Sequence, residues 1–173
     1  MSVKYTLGLV LPNLPYLIHG DVRITESQAM LRYIANTFGP ADISGKDNVD
    51  KATVDMFQSA IADIKLAIST IGYLSGDQAA VEQLGYKSME PFSKYLEERK
   101  FLAGDYVTFV DFFLFEQLEH FNVASDGGIF RRYPSLDSFH KNIISLPNFG
   151  VYYKSDRFVI RPFNNKSAKL FTD

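Results

Sequence analysis

The sequence of 173 residues contains no cysteine, and this absence excludes several kinds of chemistry at once. Without thiols the chain can form no disulfide framework, no thiolate metal site and no cysteine nucleophile. Such a composition is typical of a reducing compartment, so we expect a cytoplasmic protein. The three histidines, His19, His120 and His140, lack the spacing of metal ligands, and we expect no metal site.

A strong charge of one sign and a long apolar run are also missing. The formal net charge is −2, which gives no electrostatic footprint for a nucleic acid. The longest apolar run, "LGLVLPNLPYLI", contains two prolines and an asparagine, so we expect neither a membrane span nor a signal peptide. Glycine-rich phosphate loops and the common hydrolase motifs are absent from the sequence. What remains, with 46% hydrophobic and 22% charged residues, is typical of one or two globular domains.

The first forty residues predict two strands and a helix. "PYLI" and "VRI" flank the turn residues "HGD", a pattern that favours a β-hairpin. Thr25 and Gln28 have the spacing of a capping box, and "FGP" stops the helix that they introduce. The apolar face expected on this helix consists of Met30, Ile34 and Phe38.

The rest of the chain predicts helices. Apolar residues recur at spacings of three and four from Val54 to Ile71, which indicates a long amphipathic helix, and a second helical region contains Pro91. A further helix is expected in "YPSLDSFHKNIISLP", with an irregular tail from Ser155 that packs back through Phe158 and Phe163.

One segment, "FLAGDYVTFVDFFLFEQLEHF", is apolar on nearly every side and predicts a helix inside a bundle. Thr108 is expected at its N-cap and Asp111 three residues later, the spacing of a capping box. A buried helix cannot leave its first amides to water, so this cap should be important for folding. We therefore interpret Asp111 as a structural residue and not as a catalytic one.

Taken in order, these segments resemble the cytosolic glutathione transferases, nearest to the mu, alpha and sigma-like classes. The matching stretches are "LPNLPYLI", "TES" with "LRYIA", "IADIKLAI", "FLAGDYVTFVDF" and "SDRFVIRP". The resemblance implies a mainly α fold. Residues 47–173 would form the all-helical C-terminal bundle with its tail, and residues 1–40 a partial thioredoxin-like, glutathione-binding domain made of the hairpin and its last helix.

The resemblance also implies a glutathione site near the start of the chain. Asn13, Leu14 and Pro15 would form a loop with a cis proline, in which the Leu14 backbone binds the cysteinyl part of glutathione. Ser27 would bind the γ-glutamyl carboxylate and Glu26 the ammonium of the same group. From the residues alone, Pro15 could equally be a trans proline at a strand edge. Glu26 and Ser27 could be ordinary first-turn helix residues.

Two further roles follow from the resemblance. Asp63 would reach glutathione bound to the partner in a homodimer, although it could also be a solvated charge on the polar side of its helix. Tyr73 would line the pocket of the second substrate.

The sequence departs from the family in one respect. Only fourteen residues precede Pro15, whereas a parallel crossover alone needs about a dozen besides its strands. The first half of the thioredoxin-like domain, which carries the thiol-activating tyrosine, is therefore not matched in this N-terminally short chain. We assign no catalytic residue, and Tyr5 in particular is not given that role.

Three functions are consistent with this pattern. The first is conjugation of glutathione, as co-substrate and without another cofactor, to small hydrophobic electrophiles, with impaired activity. The second is a non-catalytic binding or dimerisation protein, and the third is a helical bundle without a ligand.

Overall fold

In a computed structural model, which describes residues 3–159 and 161–172, the chain forms two compact units that divide between Lys51 and Ala52. The first unit contains a short 3₁₀ helix, Val3–Thr6, then β1 (Tyr16–His19), β2 (Val22–Thr25) and α1 (Ser27–Phe38). The strands pair antiparallel, with Tyr16 opposite Thr25 and His19 opposite Val22. Gly20 lies in the turn with a φ of 58°, which favours glycine. The predicted hairpin is confirmed.

The predicted capping box at Thr25 is wrong. Thr25 is the last residue of β2, and its hydroxyl donates a hydrogen bond of 2.9 Å to the carbonyl of Leu11. The N-cap is Glu26, which forms no side-chain capping hydrogen bond. A contact with the preceding loop therefore replaces the local capping box at Thr25.

Only one of the three positions on the predicted apolar face of α1 is buried. Met30 is buried, but Ile34 and Phe38 are 44% and 64% exposed. Ala35 is the other buried residue of the helix. A two-stranded hairpin offers little surface to cover a helix of twelve residues.

The second unit is helical. Its helices are α2 (Asn48–Leu74, which begins just before the division), α3 (Gln78–Leu96), α4 (Phe109–Ala124), α5 (Gly128–Arg132), α6 (Pro134–Ile144) and α7 (Pro147–Tyr153). Proline stands in the first turn of both α6 and α7, where its missing N–H costs nothing. The short helix α5 was not predicted, because five residues are too few to show a period.

Helix α4 is the centre of the second unit, and it packs against α3, α5 and α6. Leu114, Leu118 and Phe121 have no exposed surface, so the prediction of a helix inside the bundle is confirmed. Gly85 on α3 allows a close approach, because a Cβ atom there would lie 2.7 Å from the ring of Phe121. The tail packs through Phe163, whose ring lies 4.0 Å from that of His120. No helix among the described residues is long and apolar enough to cross a membrane.

Candidate functional site

The first group of predicted site residues lies at the open end of the hairpin. Because Tyr16 is opposite Thr25, the next positions outward are Pro15 on one strand and Glu26 on the other. The peptide bond between Leu14 and Pro15 is cis. Asn13, Leu14 and Pro15 are all exposed, Leu14 at 64%. Within the described part of the first unit β1 pairs with β2 alone, which leaves the backbone groups of its other edge able to pair with an extended peptide.

Glu26 has an unusual backbone conformation. Its φ is 68° and its ψ is 109°, a combination that is strained for any residue with a Cβ atom. Its carbonyl accepts a hydrogen bond of 3.0 Å from the amide of Met30 and so starts α1. Strained residues of this kind concentrate at binding and catalytic sites, so the geometry of Glu26 marks this end of the hairpin as a functional candidate.

The N-terminus of α1 lies directly beside Glu26. Ser27 is the first residue of the helix and is exposed. Because the side chain of the N-cap residue Glu26 does not cap this end, the first amides of α1 and the positive end of its dipole favour a negatively charged group. Glu26 and Ser27 together therefore present a carboxylate, a hydroxyl and helix amides at one point.

A cleft of about 250 Å³ runs beside Glu26. Arg23 adds a positive charge there that the sequence analysis missed. Strand alternation could have identified it, since Arg23 and Thr25 lie on the same face of β2. The lining residues are Val10, Leu11, Arg23, Ile24, Thr25, Glu26 and Ala29.

Asp63 and Tyr73 lie on α2, in the second unit. Both are exposed, Tyr73 at 37%. Ten residues of helix separate them by about 15 Å along the axis, so the two side chains do not form one cluster. The structure thus places Asp63 on a solvated side of α2 and leaves both roles as predictions.

Thr108 and Asp111 meet at the start of α4. Oδ2 of Asp111 accepts hydrogen bonds from the amide and hydroxyl of Thr108, at 2.6 and 2.9 Å, and Oδ1 accepts one of 2.8 Å from the amide of Leu102. Asp111 has no exposed surface. Burial raises the pKa of this carboxyl to about 6, against the three hydrogen bonds, which lower it. The carboxyl is fully engaged with its own chain, which is the geometry of a structural cap.

The histidines bind groups of the protein. His19 Nδ1 lies 2.8 Å from the hydroxyl of Tyr33, and His120 Nδ1 lies 2.8 Å from the carbonyl of Glu116. His140 Nε2 is hydrogen-bonded to the carboxylate of Glu119. The described residues contain no cluster of three or more potential metal ligands.

Models of known protein families match residues in both units of the chain. Residues 5–36 match the family model "Glutathione S-transferase, N-terminal domain", and residues 63–156 match "Glutathione S-transferase, C-terminal domain". Glutathione S-transferase Mu 1 of Oryctolagus cuniculus is 32% identical over an alignment of 172 residues that covers 97% of this chain and 77% of that protein. The chain belongs to the glutathione transferase family. The resemblance seen in the sequence is therefore confirmed.

Other members of the family give the same result. The class-mu 26 kDa isozyme 1 of Fasciola hepatica is 34% identical over 176 residues, covering 98% of this chain and 76% of that enzyme. The crystal structure of the glutathione S-transferase Blo t 8 is similar with a TM-score of 0.79 and 26% identity, over 96% of this chain and 79% of that one. The Pi-class transferase of Onchocerca volvulus, at 22% identity and a TM-score of 0.82, supports the fold, again over 96% of this chain and 80% of that one.

Proposed function

We propose that this chain binds glutathione through its first unit and conjugates the thiol to small apolar electrophiles. The observation that carries the proposal is the strained Glu26, which stands between the cis Leu14–Pro15 loop and the N-terminus of α1. The conformation does not serve to cap α1 through the Glu26 side chain, which makes no capping bond. Binding of a ligand with a carboxylate and an ammonium group would account for this conformation of Glu26.

Glutathione fits the three chemical features of this end of the hairpin. Its cysteinyl peptide group is suited to strand-like pairing with the exposed backbone of Leu14, in the loop with Asn13. Its γ-glutamyl carboxylate is suited to the hydroxyl and amide of Ser27 at the positive end of α1. Its ammonium group is suited to the Glu26 carboxylate, which is exposed and free to turn toward it.

The reaction is attack of the glutathione sulfur on an electrophilic carbon. For an aryl halide a C–S bond forms, the halide leaves with its electron pair, and the thiol proton passes to water. A thiol with an ordinary pKa of about 8.5 is only a few per cent thiolate at neutral pH. We assign no described residue to lowering that pKa, so we propose a slower reaction than in a relative with an activating hydroxyl.

The same observation favours a second candidate, glutathione binding without turnover. In that case the helical unit would serve as a scaffold for binding or dimerisation, and a cytoplasmic location would suit either function. Detection of glutathione binding together with a conjugation rate equal to that in buffer would select this second candidate.

We further propose that the chain forms a homodimer in which Asp63 of one copy contacts glutathione bound to the other, while Tyr73 lines the electrophile pocket. In support, α2 exposes apolar side chains, with Met56 and Leu66 at 57% and 67%. Light scattering after size-exclusion chromatography should give twice the mass of one chain. The mass of a single chain would contradict this assembly.

The main test is isothermal titration calorimetry of the full chain with glutathione, followed by a conjugation assay with an aryl halide. Ser27→Ala should weaken binding about tenfold, since a hydrogen bond to a charged group is worth about 1.5–3 kcal/mol. Thr37→Ala is the matched control, because Thr37 is an exposed hydroxyl residue at the other end of α1. If glutathione fails to bind at millimolar concentration, the proposed function is wrong.

A further inference from the structure

A second cleft, of about 270 Å³, lies in the helical unit between α4, α7 and the tail. None of the residues that line it has a role in the proposed glutathione site. Its described lining combines five phenylalanines with two carboxylates and contains no basic side chain. The lining residues are Phe112, Phe115, Glu116, Glu119, Phe149, Phe158, Val159, Pro162 and Phe163. This composition differs from an ordinary core gap, which would be apolar throughout.

The aromatic rings of the cleft are held at steep angles to one another. Phe149 meets Phe115 edge to face, with ring centres 5.2 Å apart and planes at 83°. Its ring also lies 5.3 Å from that of Phe112 and 6.3 Å from that of Phe158. Rings that turn different edges and faces toward one space can surround a rounded group, and the negative ring face attracts a cation.

The two carboxylates give the cleft its charge. Glu119 is only 4% exposed although it lines the cleft, and its Oε1 accepts a hydrogen bond from Nε2 of His140. His140 is in turn held by Phe115, whose ring stacks on it at 4.6 Å and 12°. An anionic side chain is thus fixed at an apolar wall, where its field is weakly screened.

Glu116 adds a second, more exposed charge. Its carboxylate lies 3.7 Å from Nζ of Lys65, and the two side chains are 50% and 39% exposed. A solvated pair of this kind is worth little. The two carboxylates give the lining of the cleft an overall negative character. A hard metal ion would need more oxygen ligands than two carboxylates supply.

We propose that this cleft binds a small organic cation with an alkylated ammonium head, such as a quaternary ammonium compound. The rings of Phe115, Phe149 and Phe158 surround the alkyl groups, and Glu119 supplies the counter-charge. A quaternary head suits these walls because it has no N–H groups that need hydrogen bonds, and its charge is spread over its carbon atoms. This site is independent of glutathione binding.

Choline and its neutral isostere 3,3-dimethylbutan-1-ol provide the direct test. Both fill the same volume, and they differ only in the charge of the head. In calorimetric titrations of the full chain, choline should bind at least tenfold more tightly, the ratio expected for cation–π and charge attraction together in a partly enclosed cleft. Equal affinities, or no choline binding at 10 mM, would overturn the proposal; equal affinities would identify an apolar slot instead.

Two variants separate recognition from folding. Glu119→Gln keeps an oxygen that can accept from His140 and removes only the charge, so the choline preference should fall about tenfold while binding of the neutral isostere remains. Phe158→Leu keeps an apolar wall and removes one ring, and should lower choline binding several-fold. Glu98→Gln, at an exposed position outside the cleft, should change nothing. A choline preference that survives Glu119→Gln would show that Glu119 serves only to position His140.

Discussion

The two units of the chain differ in how far their apolar side chains are buried. In residues 1–51 Val10 is 90% exposed and Phe38 is 64% exposed, while Leu9, Met30, Ala35 and Ile43 are the hydrophobic side chains buried among the described residues of that unit. In residues 52–173 a whole helix, α4, is buried on nearly every side. Burial of apolar surface is the main favourable term in folding, so the second unit should account for most of the stability.

The difference separates a scaffold from a recognition surface. A lone two-stranded hairpin is marginal in water, and the first unit adds to it a strained Glu26 whose side chain does not cap α1. Those features cost stability and are the ones that a charged peptide could use. The second unit has the opposite character, with a buried cap at Asp111 whose hydrogen bonds are all satisfied inside the protein.

The sharpest test of this contrast applies one substitution in both units. Phe121→Ala, in the core of the second unit, should lower the free energy of unfolding by about 3–5 kcal/mol, because it removes a large buried ring and leaves a cavity. Phe38→Ala, in the first unit, should change it by less than about 1 kcal/mol, as expected at exposed positions. Urea unfolding followed by circular dichroism measures both. Equal losses would show that the contrast between the units is not energetic.

A second comparison sets a buried helix cap against an exposed one. Asp111→Ala should cost about 3–4 kcal/mol, because it leaves the buried amides of Leu102 and Thr108 without acceptors. Asp77→Ala is the control: Asp77 caps α3 through the amide of Ala80 in an exposed position and should cost about 1 kcal/mol. The same unfolding experiment applies, and a smaller loss for Asp111 than for Asp77 would refute the role of burial.

Local signals explain what the sequence could predict. The hairpin follows from the turn residues around Gly20, and the cap of α4 from the spacing of Thr108 and Asp111. The incorrect predictions concern features that depend on contacts between residues far apart in the sequence. The hydroxyl of Thr25 donates a hydrogen bond to the carbonyl of Leu11, fourteen residues away. The exposure of Phe38 depends on which other side chains of the unit pack over it. The strained φ of Glu26 has no signature in the sequence, nor has the pairing of Glu119 with His140.

The raised pKa of Asp111 predicts a pH dependence. The folded state holds this proton up to about pH 6, whereas the unfolded chain releases it near 3.9, so the folded state binds more protons between these values. Stability from this group is complete below pH 4 and is lost as the pH rises through 6. The difference in unfolding free energy between wild type and Asp111→Ala should therefore be about 2–3 kcal/mol larger at pH 4 than at pH 7. Urea titrations at several pH values test this, and a difference that grows with pH would contradict it.

The smallest predicted effect is a gain in stability. Glu26→Gly should relieve the strained φ of 68° and stabilise the first unit by about 1 kcal/mol, while glutathione binding weakens because the carboxylate is lost. Hydrogen exchange of the hairpin amides measures the first effect and calorimetry the second. Asp21→Gly, beside Gly20 in the hairpin turn but at a position whose own φ is not positive, is the control and should not stabilise the unit. Stronger glutathione binding by Glu26→Gly would contradict the role given to this residue.

The central claim, that the first unit recognises glutathione, is tested most directly by recording amide NMR spectra of the full chain during a titration with glutathione. We predict saturable shifts at the amides of Asn13, Leu14, Glu26 and Ser27, with Pro15 silent because it has no amide proton, and smaller shifts at Arg23. Shifts that avoid both the residue 13–15 loop and the start of α1, or a spectrum unchanged by millimolar glutathione, would contradict the account.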